Sequence, residues 1–335
     1  MFPYVSVLII TYNYEKELYR ALEALKRQTF KNFEIVIVDD CSKDNTVPMV
    51  NRYINNHKNM HIKLIVHEKN QGIIAARNTA LNYAHGKYCY MHDADDWMDD
   101  NCLQVLTDVA KKTNADRVVA EFRDVDTSGK VLQIRKLPSK PSKWLYAMHD
   151  ACLYKRSVIT ENNIKYEEYS WDDITFNFLF SLKCRKVAYT HKVVSNYYVN
   201  PNSASGSSSV GNELDDKRYH GLISLYKEKR RYMSPKDRVF FEYYIIKYYY
   251  YSVLHTGRFM EYRQLIKKYD IMHKSMVEDL PNFLENKNIK LFRSNGDRFY
   301  GRLLTFGLSK IEKLGLMRMG LKIYSFISKY HYLPV

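Results

Sequence analysis

Four apolar runs rich in β-branched residues each stop at a polar cluster, and stretches at helical spacing separate them. Val5 to Ile10 ends at Thr11-Tyr12-Asn13, and Phe33 to Val38 ends at Asp39-Asp40. Ile62 to Val66 leads into Glu68-Lys69-Asn70-Gln71-Gly72, and the run at Tyr88 ends in Asp93-Ala94-Asp95-Asp96. Runs that are nearly continuously apolar, rather than alternating, suit strands covered on both faces of a parallel sheet. Between them, Leu18, Ala21, Leu22 and Leu25 fall at helical spacing, Thr46 to Asn55 is helix-compatible, and Ala75, Ala76 and Leu81 mark a third helix. The pattern predicts right-handed βαβ units and a Rossmann-like, mostly parallel α/β sheet with helices on both faces. In such sheets ligands bind beyond the carboxyl ends of the strands, so the four clusters are expected to converge on one crevice.

The chain of 335 residues has room for one α/β domain of roughly 200 residues and a smaller second unit. A hydrophobic content of 46%, with 30 Tyr, excludes global disorder. The formal charge of +15 implies a face that attracts nucleotide phosphates, lipid headgroups or nucleic acid, without choosing among them. The five cysteines are odd in number and form no Cys-x-x-Cys pair, which argues against a disulfide framework or a zinc site and for a reducing cytoplasm. The first strand begins within a few residues of Met1, leaving no room for a signal peptide, and no apolar stretch reaches ~18 residues. The expectation is a cytoplasmic protein that does not span a membrane.

The acidic bend carries the chemistry. In extended backbone alternate side chains share a side, so Asp93 and Asp95 are expected to aim at one spot while Asp96 points away. Two carboxylates so placed repel unless a cation lies between them. Ligation by oxygen alone suits Mg²⁺ or Mn²⁺ and leaves coordination positions for the phosphates of a substrate. A solvated turn after a strand is the better explanation of a lone Asp-x-Asp; the company of three other polar strand ends is what favours a site.

Taken together, Val-Ser-Val-Leu-Ile-Ile-Thr-Tyr-Asn from Val5, the stretch Gln28 to Thr46 with its Val-Asp-Asp-Cys-Ser, Asn-Gln-Gly-Ile-Ile-Ala-Ala-Arg-Asn from Asn70, and Asp-Ala-Asp-Asp from Asp93 resemble the successive blocks of family 2 glycosyltransferases, which have the GT-A fold. The resemblance is dense over the first hundred residues and looser from about 115 to 205; Ile10 stands where the family often has Pro. It implies that Thr11, Tyr12 and Asp40 hold the base of a nucleotide sugar, with Asn70 and Arg77 toward the donor and Asp95, assisted by Asp93, as metal ligand. Physically, Asp40 can accept an imide N–H and Tyr12 can stack on a ring, although Asp40 also fits a turn-acceptor role. Arg77, just over one turn into its helix, offers a fork for a diphosphate, or else a surface ion pair.

Trp171-Asp172-Asp173-Ile174 occupies the place of the family's Glu-Asp motif, where the second acid is the usual base of inverting members. That makes Asp173 the expected base, with Asp172 orienting; a sugar hydroxyl is a poor nucleophile until its proton is taken. Either acid also suits the start of the apolar helix from Ile174 to Leu182. Gly206 to Gly211 reads as a lid or a plain linker.

Two regions are expected: residues 1–211 as a nucleotide-sugar-binding catalytic domain, and 212–335 as a helical, basic, Tyr-rich region. The aromatic stripe Tyr243 to Tyr251 reads as helix-bundle core. Lys287 to Val335 holds ten Lys/Arg against two acids, with Leu314, Met317, Leu321, Tyr324 and Ile327 at helical spacing. Docking on an anionic membrane and packing within the protein are both open for it. The resemblance implies an inverting, metal-assisted transferase moving a sugar, most simply from a UDP-sugar, to a glycan or lipid-linked acceptor at the inner face of the cell membrane, with an oligomer possible. A nucleotidyltransferase would need a Gly-rich, Lys-containing loop after the first strand, which Thr11-Tyr12-Asn13-Tyr14 is not. A nucleic-acid-binding protein would account for the charge but not for the carboxylates, so no nucleic acid is expected.

Overall fold

A computed structural model describes residues 2–139, 141–144, 148–169, 172–199, 213–258, 260–292 and 297–328. The chain divides into two compact units; the first comprises Met1–Leu137, Ala147–Glu167 and Asp172–Asn200. The expected order opens it: β1 (Val5–Thr11), α1 (Glu15–Lys26), β2 (Phe33–Asp39), α2 (Thr46–Asn56), β3 (Ile62–Val66), α3 (Ile73–Asn82) and β4 (Tyr88–Asp93). The strands lie in the order β3-β2-β1-β4 and all run parallel. The apolar runs fill the core as their composition requires: Val5, Val7, Ile9, Val36, Ile37 and Val38 are wholly buried.

Register brings the polar ends together. Thr11 pairs with Asp39, Ile10 with Asp93, and Asp39 with Val66, so the carboxyl ends of the four strands form one edge. Beyond β4 come β5 (Trp97–Met98), α4 (Cys102–Thr113), β6 (Arg117–Val125), β7 (Val131–Arg135), β8 (Cys152–Lys155), α5 (Arg156–Glu161), α6 (Asp172–Lys183) and β9 (Val187–Tyr198). They extend the sheet as β4-β8-β6-β9-β5, with β7 on β6; β8 runs antiparallel to both neighbours, and β9 runs parallel to β6. The fold is therefore α/β with a mixed sheet whose first half is the parallel Rossmann-like part, followed by C-terminal helices.

The second unit comprises Pro138–Tyr146, Glu168–Trp171 and Pro201–Val335. Its helices are α7 (Glu213–Lys229), α8 (Pro235–Thr256), α9 (Tyr262–Asp279), α10 (Phe299–Lys313) and α11 (Met317–Ile327). The aromatic stripe is its core: Tyr243 and Tyr249 are wholly buried and Tyr250 nearly so. The Tyr249, Tyr250 and Tyr269 hydroxyls all donate to the buried Glu312 carboxylate, which satisfies an acid that could not otherwise be placed inside. Gly315, at φ +70, lies in the break between α10 and α11 and divides the segment expected as one basic helix. Among the described residues no helix is long and apolar enough to cross a membrane. Gly206 to Gly211, read from sequence as lid or linker, lie outside the described residues.

Candidate active site

The loops after β1 and β2 are stitched to each other. Asn13 and Cys41 both have positive φ (58° and 68°), turning the chain sharply at the two strand ends. Asn13 N–H donates to Ser42 Oγ, Lys43 N–H donates to Asn13 Oδ1, and Asp39 accepts from Ser42 N–H at 2.8 Å. Asp39 is thus the turn acceptor, which leaves Asp40 for another task. Asp40, 5% exposed, accepts the Gln71 N–H (2.9 Å) and the His67 ring (2.7 Å) on Oδ1, and the Gly72 N–H (2.7 Å) on Oδ2. It ties the loop after β3 to the end of β2, and Gly72, at φ +85, supplies the backbone turn that allows this. Thr11 is buried and its hydroxyl has no hydrogen-bond partner among the described residues; Tyr12 is 40% exposed at the same edge, and Asn70 is exposed on the β3 loop.

Arg77 is the hub. One turn into α3 it faces the sheet, 7% exposed, where sequence reasoning aimed its fork at a donor. Its Nη2 donates to Asp93 Oδ1 at 3.0 Å, its Nε lies 2.7 Å from Asp172 Oδ2, and its Nη1 lies 2.8 Å from His149 Nε2. Burial alone would weaken its hold on its proton, but Asp172 and then Asp93 outweigh that and raise its pKa. The same guanidinium, with His149, holds the Asp93 carboxyl well below the usual range against the opposing effect of burial. Arg77 therefore couples the end of β4 to the start of α6, two segments almost eighty residues apart in sequence.

After Asp93 the backbone turns, closed by the Asp96 N–H donating to Asp93 O at 3.2 Å. Strand alternation stops there, and Asp96 comes back beside Asp93 instead of pointing away. Asp93, Asp96 and Asp150 offer oxygens that all lie within 4.8 Å of one another; Asp95 is not one of the three. Asp96 and Asp150 are 2% and 8% exposed, and Asp96 also accepts the Tyr198 N–H at 2.8 Å. Burial, reinforced by Asp150, raises the Asp96 pKa far above its ordinary value; burial likewise raises that of Asp150, against the pull of His149. Asp95 is pushed up to about 7 by burial and by the neighbouring Asp93 charge. Ala151 holds Asp150 in place from a left-handed backbone (φ 51), with its N–H donating to Tyr90 Oη.

Asp172 and Asp173 lie in the first turn of α6. Asp173 Oδ1 accepts the Ile174 N–H at 2.7 Å, and part of its surface stays open to solvent. Burial and the adjacent Asp172 raise its pKa to about 7.

The structure thus gathers Thr11, Asp40, Arg77 and Asp93 along one sheet edge and brings Asp172 to it through Arg77. His149, Asp150 and Asp96 were missed. Nothing in the sequence marks His149-Asp150 as chemistry, since the pair stands alone more than fifty residues beyond the acidic bend. Asp96 was set aside because extended geometry was carried past the end of the strand.

Residues 6–168 match the family described as Glycosyl transferase family 2. Over 93% of this chain and 96% of its relative, the sequence is 25% identical to the poly(ribitol-phosphate) beta-N-acetylglucosaminyltransferase TarP of Staphylococcus aureus. The crystal structure of S. aureus TarS residues 1–349 in complex with UDP-GlcNAc superposes with a TM-score of 0.71 at 18% identity, covering 98% of this chain and 93% of that one. The mannosyltransferase PcManGT of Pyrobaculum calidifontis, in complex with GDP-Man and Mn2+, is similar at a TM-score of 0.56 and 16% identity, covering 98% of this chain and 87% of that one. With the strand-end site and this family match in the same residues, the segment 6–168 belongs to glycosyl transferase family 2, on the GT-A fold, and the chain is a glycosyltransferase.

Proposed function

We propose that the protein moves a sugar from a UDP-sugar to a hydroxyl of a glycan or lipid-linked acceptor in bacterial cell-envelope synthesis, with inversion at the anomeric carbon. Support for the donor class comes from the UDP-GlcNAc complex of the similar TarS fold, and for the acceptor class from the poly(ribitol-phosphate) acceptor named for TarP. The observation that carries the mechanism is the Arg77 bridge, which ties the metal-type carboxylates to the acids opening α6.

Oxygen donors from three aspartates fit a hard divalent cation, and a cation there would offset the burial that raises the pKa of Asp96 and Asp150. Asp93, Asp96 and Asp150 would hold Mn²⁺ or Mg²⁺, with Asp95, their neighbour on the same turn, as a further oxygen donor to that ion. When bound, such an ion supplies Lewis-acid neutralisation of the departing nucleoside diphosphate. Tyr12 stacks on the base, Thr11 offers its unpaired hydroxyl, and Asp40 uses the lone pair that Gly72 leaves on Oδ2. Arg77 keeps Asp93 ionised and holds Asp172 in place, and Asn70 reaches the donor from the β3 loop. Asp173 takes the proton of the acceptor hydroxyl as it attacks; a carboxylate with its pKa near 7 is matched to that step at neutral pH. Direct displacement turns an α-linked donor into a β-linked product.

A screen of nucleotide sugars for Mn²⁺-dependent release of nucleoside diphosphate tests this. One UDP-sugar is expected to give turnover that Asp95→Asn and Asp173→Asn both abolish, with donor binding weakened in the first and retained in the second. Normal turnover by Asp173→Asn would remove the base assignment, and an α-linked product would remove inversion.

A further inference from the structure

Helix α10 is packed inside out. It buries Thr305, Ser309 and Glu312, while Phe299 and Leu303 stand 56% and 43% exposed. In α11, Met317, Leu321 and Ser325 take the buried side. At 100° per residue Leu316, Met319, Ile323 and Phe326 cluster instead within an arc of about 80° on another side. They are 42%, 57%, 55% and 68% exposed, so among the described residues α11 carries a second apolar face that is largely exposed. A patch of this kind, rimmed by polar groups, marks a binding surface rather than ordinary exterior.

The charges identify the occupant. The acids of residues 297–328, Asp297 and Glu312, are 5% and 8% exposed and turned inward, Asp297 onto Lys247 and Tyr243, Glu312 onto its tyrosines. Lys310, Lys313 and Lys322 on the same helices are exposed. Among the described residues the outer surface is therefore apolar rings and aliphatic chains among cations, of which Arg318 is paired with Asp270 while no ion pair engages Lys310, Lys313 or Lys322. A second copy laid on this face would set like charge against like charge. We propose that α10 and α11 dock flat on an anionic lipid surface, with the apolar arc entering the boundary between headgroups and acyl chains and the lysines meeting the headgroup phosphates. At eleven residues α11 is about 16 Å long, which suits lying in the interface and not crossing it.

The test is co-sedimentation of the full chain, without donor, with vesicles of phosphatidylcholine containing phosphatidylglycerol and with vesicles of phosphatidylcholine alone. Binding is expected to the first, weakening with salt. It should fall by about tenfold or more in Ile323→Glu/Phe326→Glu and again in Lys310→Glu/Lys313→Glu/Lys322→Glu, both melting like wild type because the changed side chains are exposed. Nucleoside diphosphate release toward a soluble acceptor should be the same in all three proteins, so failure of docking and failure of the transfer reading are separable. Equal binding to both vesicle types, or variants that bind like wild type, would overturn the proposal. So would sedimentation velocity showing an oligomer that Ile323→Glu splits without any vesicle binding, which would assign the face to a second copy.

Discussion

Arg77 illustrates how much one side chain can organise. Its planar fork serves three partners in three directions, and a lysine in its place could reach one or two but not all. Arg77→Lys is therefore expected to leave Asp93 or Asp172 a buried charge without a counterion, lowering stability by roughly 3 kcal/mol in denaturant titration. Donor turnover should fall more than donor affinity in the same variant, since the acids are displaced and the edge proposed to hold the base is not. For Asp173, the folded pKa of about 7 lies above the ordinary 3.8, so the native state holds the proton more tightly than the unfolded chain. As the proposed base Asp173 must be ionised to act, so kcat is expected to fall as pH drops through about 7, a limb absent from whatever activity remains in Asp173→Asn. The same sign governs stability. The Asp173 contribution is complete below the unfolded pKa and is lost as pH rises through about 7, so thermal melts at pH 8 should find Asp173→Asn more stable than wild type, with the difference shrinking toward pH 4.

At the scale of elements, the loop between β3 and α3 is shaped by Asp40 accepting two backbone N–H groups and by Gly72 at positive φ. A Cβ at Gly72 would meet no atom within 4 Å, so Gly72→Ala tests backbone conformation alone. It should cost about 1 kcal/mol in thermal unfolding and raise the KM for donor by displacing Asn70 and the base edge. The first four strands and three helices were legible in the sequence to within two or three residues, because β1, β2 and β4 are largely buried and read as continuous apolar runs, and the edge strand β3 keeps a shorter one. Of the later strands, Ala115 to Phe122 also reads as one and forms most of β6, but β7 and β9 were not legible. β9 mixes buried and exposed positions irregularly along Val187–Tyr198, and β7 is largely exposed, so neither leaves a period in the sequence.

For the whole molecule, the second unit is built on tyrosines gathered around a carboxylate. Glu312→Gln would replace charge-assisted hydrogen bonds from three phenols by weaker ones and should lower the stability of that unit by about 2–3 kcal/mol, seen as an earlier melting transition while nucleoside diphosphate release at 25 °C is kept. Sequence alone determined the parallel βαβ half, the family resemblance and the edge at which the polar strand ends gather, because each rests on local patterning and on the rule that parallel strands end together. Tertiary structure alone decided the membership of the acidic cluster. The turn after Asp93 returns Asp96, the β8 entry delivers His149 and Asp150, and Arg77 selects Asp172 from across the fold; such long-range pairings leave no spacing in the chain to be read. It also decided which side of α10 and α11 faces outward, because a helix with two apolar faces has one orientation only when its neighbours are in place.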